Sequence, residues 1–425
     1  MVIKILTFTT LYPDSTRPTH GIFVENRLRH LLAWGKVQSR VVAPVPWFPW
    51  KGRAFGDYAR YARVPRREVW HGIDVAHPRY PLIPKFGMTA APWLMAHAVK
   101  GILQKLVADG YNFDLIDAHY FYPDGVAAVI LGRALGKPVL ITARGTDLNL
   151  IPRYFFARRM IKWAAANASA LITVSNSLKD ILLSLGISEK RVTVLRNGVD
   201  LCKFTPPQDR DGLRRSLGLS GRTLLAVGNL IPLKGHELMI RALRHLPGIA
   251  LMIAGGGIER KNLEGIANAL GVADRIRFLG RIEHDRLADF YGAADALILA
   301  SSQEGWPNVL LESMACGTPI VCTRVGCTPE LISAPEAGII MDGRTPEILA
   351  RAIENLLASN PDRIATRHYA ERFSWEETTL GQIQIFEKVL GHTRRKIGQV
   401  RNGDVGKSLQ ITPDADIETV SPPVN

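Results

Sequence analysis

The sequence predicts an α/β protein built from two doubly wound parallel sheets, one after the other. Three observations carry the prediction. Strand-like apolar runs alternate with helical patterns through the first 200 residues, pause, and begin again near residue 223. The chain has 425 residues, too many for one ordinary domain and enough for two with a tail. Residues 296–332, ALILASSQEGWPNVLLESMACGTPIVCTRVGCTPELI, hold the sharpest strand–loop–helix–strand unit, and the rest of the chain is organised around it.

In the first half, strands fit near 2–8, 39–43, 114–118, 138–142, 170–174 and 192–195, and helices near 21–34, 89–108, 124–135, 153–166 and 176–184. The opening MVIKILTF reads as the first strand rather than a signal peptide, because turn residues follow at once. Gly21 precedes a helix. Its loop can bring backbone N–H groups towards a phosphate, or simply cap the helix. His119, in DLIDAHYFYPDG, falls at the carboxyl end of a strand. It either faces a ligand crevice or is a satisfied structural histidine. Arg144, Gly145, Thr146 and Asp147 lie beyond the next strand.

Residues 44–70 are the most unusual stretch. Trp47, Phe48, Trp50, Phe55, Tyr58, Tyr61 and Trp70 are interleaved with Lys51, Arg53, Arg60, Arg63, Arg66 and Arg67. A second cluster, residues 153–163, holds Arg153, Tyr154, Phe155, Phe156, Arg158, Arg159, Lys162 and Trp163. Rings at headgroup level and cations meeting anionic lipid suit a membrane surface. A lid whose aromatics pack on its own domain is the alternative for residues 44–70. Charge follows the same asymmetry: residues 1–200 hold 27 lysines and arginines against 13 acids, and residues 201–425 hold 26 against 26. The excess positive charge of the first half asks for an anionic partner, lipid or nucleic acid. No apolar run reaches the roughly 20 residues of a membrane span. The four cysteines, at 202, 316, 322 and 327, form no CxxC pair and read as thiols of a reducing compartment, hence a cytoplasmic protein.

Residues 202–219 break the pattern and read as a linker. The second half restarts with RTLLAVGNLIPLKG, where Gly228 and Asn229 end a strand and Lys234 and Gly235 precede a helix. Glycine permits close backbone approach and lysine supplies a cation, so this is a phosphate-type loop without the GxxxxGK[ST] spacing of a P-loop. Gly255, Gly256 and Gly257 follow another strand; a lone glycine cluster is weak evidence for a dinucleotide site, and about 20 residues on, where such a site wants an acid, the chain reads ADRIRF. Gly280 and Arg281 end the next strand.

In the central unit Pro307 suits the first helical position, and Leu310, Leu311, Met314 and Ala315 make a buried stripe. The first-turn N–H groups of Asn308, Val309 and Leu310 can hold an anion. Glu304 and Glu312, eight positions apart, flank them. They either accept from sugar hydroxyls or are solvated surface charges. A helix is expected at 375–391, and residues 392–425 read as a disordered tail; the Asp414–Asp416 pair there reads as a chance D-x-D match.

EGWPNVLLESMACGTPIVCT…GCTPELI resembles the glutamate-x7-glutamate signature of family 4 retaining glycosyltransferases with the GT-B fold, and the wording is closest to bacterial cell-surface polysaccharide enzymes. The resemblance covers roughly residues 1–390. It implies two Rossmann-like doubly wound domains facing a cleft. Residues 1–201 would form an acceptor-binding domain and 220–374 a nucleotide-sugar-binding domain, with 375–391 crossing back to the first. By the same resemblance the donor is held by Gly21, Gly228, Asn229, Lys234, Arg281, Glu304, Asn308, Val309, Leu310 and Glu312, and His119, Lys234 and Glu304 are catalytic. Many relatives have histidine where Arg144 stands and arginine where Asn229 stands. Arg144 and Asp147 are therefore assigned to an acidic acceptor or a phosphate. The implied reaction is retaining transfer of a hexose-type sugar from a nucleotide-sugar to a hydroxyl of a lipid-linked or anionic saccharide. It needs no metal and no cofactor, and it takes place at the cytoplasmic face of an anionic membrane reached through residues 44–70 and 153–163, with no nucleic acid partner. A GT-B epimerase acting without acceptor and a non-catalytic sugar-nucleotide or nucleic-acid binder are the alternatives.

Overall fold

The computed structural model describes residues 2–48, 52, 56–81 and 87–403. Its strands are β1 (Ile3–Phe8), β2 (Val37–Val42), β3 (Val45–Trp47), β4 (Arg67–Trp70), β5 (Ile73–Ala76), β6 (Arg79–Pro81), β7 (Leu115–His119), β8 (Val139–Ala143), β9 (Ala170–Thr173) and β10 (Val192–Val194) in the first half. The second half holds β11 (Thr223–Val227), β12 (Ala250–Ala254), β13 (Ile276–Gly280), β14 (Ala296–Leu299), β15 (Ile320–Thr323) and β16 (Gly338–Met341). Among the described residues they form an eight-stranded sheet, β10-β9-β8-β7-β1-β2-β5-β4, a six-stranded sheet, β13-β12-β11-β14-β15-β16, and a β3-β6 pair. All neighbours are parallel except β4 and β5. The α/β, doubly wound reading therefore holds for both halves.

The central strands are apolar from end to end because helices cover both faces. Every residue of β7, β8, β14 and β15 is buried. The chain order reverses between β1 and β7 in the first sheet and between β11 and β14 in the second. Loops at the carboxyl ends of strands flanking such switch points are where open sheets hold ligands.

One apolar cluster runs through both halves, from Leu6, Ile116 and Ile141 through Val199 and Phe204 to Leu297, Leu310 and Met314. The helix Trp375–Gly403 returns to the first half. Ile383, Phe386 and Val389 enter the cluster of Ile5, Leu28, Leu115 and Leu140. Gln382 there accepts from Arg27 Nε at 2.7 Å and donates to Asp117 Oδ2 at 2.7 Å.

Three details differ from the sequence reading. Residues 44–81 contain β3–β6 and the helix Gly56–Arg63, so this stretch is woven into the first domain. Trp50, Lys51, Arg53 and Phe55 of the aromatic–basic reading lie outside the described residues. The linker contains a helix, Arg210–Ser216, capped by Asp209, whose Arg210 and Arg214 pair with Asp295. It packs on the second domain, and the residues before it are tied down as well, with Phe204 buried and Lys203 paired with Asp285. The last helix runs to Gly403, twelve residues past its expected end, and residues 404–425 lie outside the described residues.

Phe386 has no solvent exposure. Phe386→Ala is expected to cost about 3–5 kcal/mol through the cavity it leaves, read by denaturant unfolding followed by a probe in the first domain.

Candidate active site

The cleft between the sheets is built by loops at strand carboxyl ends. After β11 the chain passes Gly228 and Asn229 and makes a short turn, Pro232–Lys234. Gly235 follows with φ +69°, and a Cβ there would stand 2.1 Å from the Ala300 carbonyl oxygen. Only glycine lets this loop press against the one after β14. That second loop carries Glu304, and Lys234 Nζ reaches Glu304 Oε1 at 2.6 Å.

Trp306 anchors the Glu304 loop. Its indole N–H donates to the Asn197 carbonyl at 3.0 Å. Pro307 caps the helix Asn308–Ala315. The N–H of Leu310 donates to the Pro307 carbonyl at 3.0 Å, and Leu310 is fully buried in the core. Leu310 is thus removed from the anion-holding set, and the N–H groups of Asn308 and Val309 remain. One turn on, Glu312 faces the cleft with His284 Nε2 at 2.9 Å from Oε1 and the Tyr291 hydroxyl donating to Oε2 at 2.8 Å. Each oxygen keeps a lone pair for a further donor.

The opposite wall comes from the first domain. Gly145 packs on Gly305, where a Cβ on Gly305 would sit 2.6 Å from Gly145 Cα. Asn149 Nδ2 donates to the Glu304 carbonyl at 3.3 Å. The cavity between the walls measures about 540 Å³ and is lined by Arg144, Asn229, Lys234, Arg281, Glu304 and Glu312 among others.

Three residues singled out in the sequence stand elsewhere. His119 is 2 % exposed and lies behind Arg144, whose Nη2 donates to its Nδ1 at 2.6 Å. Burial, with Arg144 and Arg27 nearby, pulls its pKa down to about 4, so the ring is neutral despite Asp117. It supports Arg144 and does not line the cavity. The strand is covered on both faces, so apolar periodicity could not say where the side chain at its end would point. Asp147 is fully buried and accepts from the N–H groups of Phe121, Arg144 and Gly145, which stitches the loops after β7 and β8 together. Gly21 (φ +68°) wedges against the Leu11 carbonyl, where a Cβ would come within 2.3 Å, while its neighbours Ile22 and Phe23 line the cavity. Its role is to let the helix start pack close.

Sequence reasoning missed His284, Tyr291 and Tyr120. Tyr120 lines the cavity with φ +82°. His284 and Tyr291 carry no motif of their own; only contact with Glu312 marks them. Among the described residues no group of three His, Cys, Asp or Glu side chains could hold a metal ion.

Residues 58–203 match the family Glycosyltransferase Family 4, and residues 209–373 match Glycosyl transferases group 1. A D-inositol 3-phosphate glycosyltransferase of Xylanimonas cellulosilytica is 32% identical over 357 residues, spanning 76% of this chain and 84% of that protein. A Bacillus subtilis protein described as a teichuronic acid biosynthesis glycosyltransferase is 27% identical over 359 residues, spanning 83% and 88%. The solved structure of Anabaena HepE in complex with UDP and glucose superposes with a TM-score of 0.69 at 20% identity, over 91% of this chain and all of that one. With its two Rossmann-like sheets facing a cleft, this chain belongs to the family 4 glycosyltransferases of GT-B fold.

Proposed function

We propose that the chain is a retaining, metal-independent hexosyltransferase that moves a sugar from a nucleotide-sugar to a hydroxyl of a lipid-linked or otherwise anionic saccharide in cell-surface polysaccharide assembly. The observation that carries this reading is the cluster of Lys234, Glu304, the Asn308 helix start and Glu312 around one cavity. Lys234 and the N–H groups of Asn308 and Val309 stabilise the charge developing on the departing diphosphate. Glu312 accepts from the ribose hydroxyls and Glu304 from those of the sugar. Arg281, exposed beside Gly256, borders the base. Without donor, Lys234 and Glu304 hold each other. On binding, the ammonium passes to phosphate and the carboxylate to a sugar hydroxyl, so neither is left unpaired. Because Glu304 serves as an acceptor, attack takes place on the face the diphosphate leaves, and the leaving phosphate takes the acceptor's proton. The positive charge is supplied by the protein, so the reading calls for no metal and no cofactor.

The names of the teichuronic acid and inositol phosphate relatives favour an anionic acceptor. The helix Phe155–Asn167 favours a membrane-held one. Its inner face buries Ala157, Met160, Ile161, Ala164 and Ala165. Outward stand Phe155 at 65% and Phe156 at 61% exposure, with Arg158, Arg159, Lys162 and Trp163 also exposed. Leaving rings of this size in water is costly unless an interface receives them. We assign this face, with Trp47 of the 44–70 stretch, to the anionic cytoplasmic leaflet. None of the described helices is long and apolar enough to cross a membrane.

Thermal stabilisation by UDP-, GDP- and ADP-sugars tests the donor site: one nucleotide is expected to raise Tm in wild type and not in Glu312→Ala. Lys234→Ala is expected to lower kcat about 10²–10³-fold with Tm retained; normal activity would refute its role. In vesicle flotation, Arg158→Glu/Arg159→Glu/Lys162→Glu should lose binding to anionic liposomes. Each cation is worth about 1 kcal/mol, so partitioning falls by roughly a hundredfold. Equal wild-type binding to neutral and anionic vesicles would sink the membrane assignment.

A further inference from the structure

Arg144 is a buried cation whose guanidinium hydrogen-bonds only to neutral groups. It is 8 % exposed and lines the cleft. Its Nη1 donates to Asn197 Oδ1 at 3.1 Å and its Nη2 to the neutral His119 at 2.6 Å. Its Nε has no partner among the described residues. The guanidinium faces the Phe23 ring, with Cζ 5.7 Å from the ring centroid. Two carboxylates are near, and neither is hydrogen-bonded to the guanidinium; Asp117 Oδ1 is itself buried without a partner among the described residues. Asp147 is taken up by three backbone N–H groups. Asp117 accepts from Gln382, and its Oδ2 lies 3.4 Å from His119 Nε2. No carboxylate among the described residues forms an ion pair with Arg144. Burial first, and repulsion from the buried cation Arg27 second, pull the Arg144 pKa well down against the attraction of Asp117 and Asp147.

A buried charge is ordinarily matched by an opposite charge. Here two neutral acceptors take two of the five guanidinium N–H groups and fix the fork, and Phe23, which stacks on the guanidinium, itself lines the cleft. We infer that Arg144 is the recognition point for an anionic group, carboxylate or phosphate, that one of the two substrates brings to the first-domain wall of the cleft. The inference rests on the glycosyltransferase reading of the site and deepens it. The donor would supply the anion as a sugar carboxylate, the acceptor as a phosphate. Either would complete the guanidinium with a charge-assisted hydrogen bond, which a neutral hydroxyl does less strongly.

The test uses the full chain and paired probes in isothermal titration. UDP-glucuronate against UDP-glucose reads the donor source. Glucose 6-phosphate against glucose, both with UDP present, reads the acceptor source. Wild type is expected to prefer the charged member of one pair by about tenfold or more. Arg144→Met should bring that ratio to about one with UDP affinity unchanged, and Arg144→Lys should keep part of it, which also controls for folding. Equal binding of both members of both pairs to wild type would overturn the inference, as would an unchanged ratio in Arg144→Met. An equal loss of UDP itself in Arg144→Met would also overturn it and reassign the residue to the diphosphate. Failure of UDP, GDP and ADP alike to bind wild type would overturn the nucleotide reading, and this inference with it.

Discussion

Asn197 is the joint on which the cleft depends. Its carbonyl accepts from Trp306 of the second domain, its side-chain oxygen accepts from Arg144 of the first, and its Nδ2 donates to Asn308 Oδ1 at 3.3 Å. One residue thereby sets the Glu304 loop, the start of the donor-side helix and the cation of the opposite wall relative to one another. Trp306 is 7% exposed, so its indole N–H must have a partner, and the Asn197 carbonyl is the one it has. Glu330 adds a second polar joint, accepting from Asn176, Ser177 and Arg196 of the first domain, and both joints are laid over a continuous apolar cluster.

Behind Arg144 a second polar chain runs through the first domain. Gln382 of the last helix meets Arg27 and Asp117, and Asp117 faces His119, which accepts from Arg144. Such a network is stable only when its members are satisfied. Three of its atoms have no partner among the described residues: Arg27 Nη2, Arg144 Nε and Asp117 Oδ1. The guanidinium of Arg144, which lines the cleft, is thus left without an ion pair although carboxylates lie near it. Lys234 and Glu304 show the opposite condition, an ion pair complete in itself and free to exchange partners.

Much of this was legible in the sequence, for reasons that also mark the limits. β7, β8, β14 and β15 are covered on both faces, so unbroken apolar runs announced them. β3 and β6 have three residues each, and β4 alternates exposed and half-buried positions around Arg67 and Val69, so the aromatic–basic composition hid them. The helix Arg210–Ser216 buries no residue and left no periodicity to find. In the site, Lys234, Glu304, Asn308 and Glu312 followed from loop and helix punctuation. The direction of the His119 ring and the pairing of Glu312 with His284 and Tyr291 depend on contacts between distant segments. No local pattern encodes those.

The two passages of the chain between the domains run side by side. The Val199 N–H donates to the Phe373 carbonyl at 2.9 Å, and Gly198 lies so tightly on Ser374 and Trp375 that a Cβ would come within 2.5 Å of their backbone. Two covalent crossings bolted together act as a door hinge with paired pins. A rotation about these pins would keep the Val199–Phe373 hydrogen bond, and a slide of one crossing past the other would break it. The Gly145–Gly305 contact, made by other loops, then serves as the doorstop: with no side chain on either residue, the leaves shut until backbone meets backbone. The gap between Arg144 and Glu304 at closure is therefore set by two missing methyl groups, and a bulkier residue at either stop would leave the door ajar.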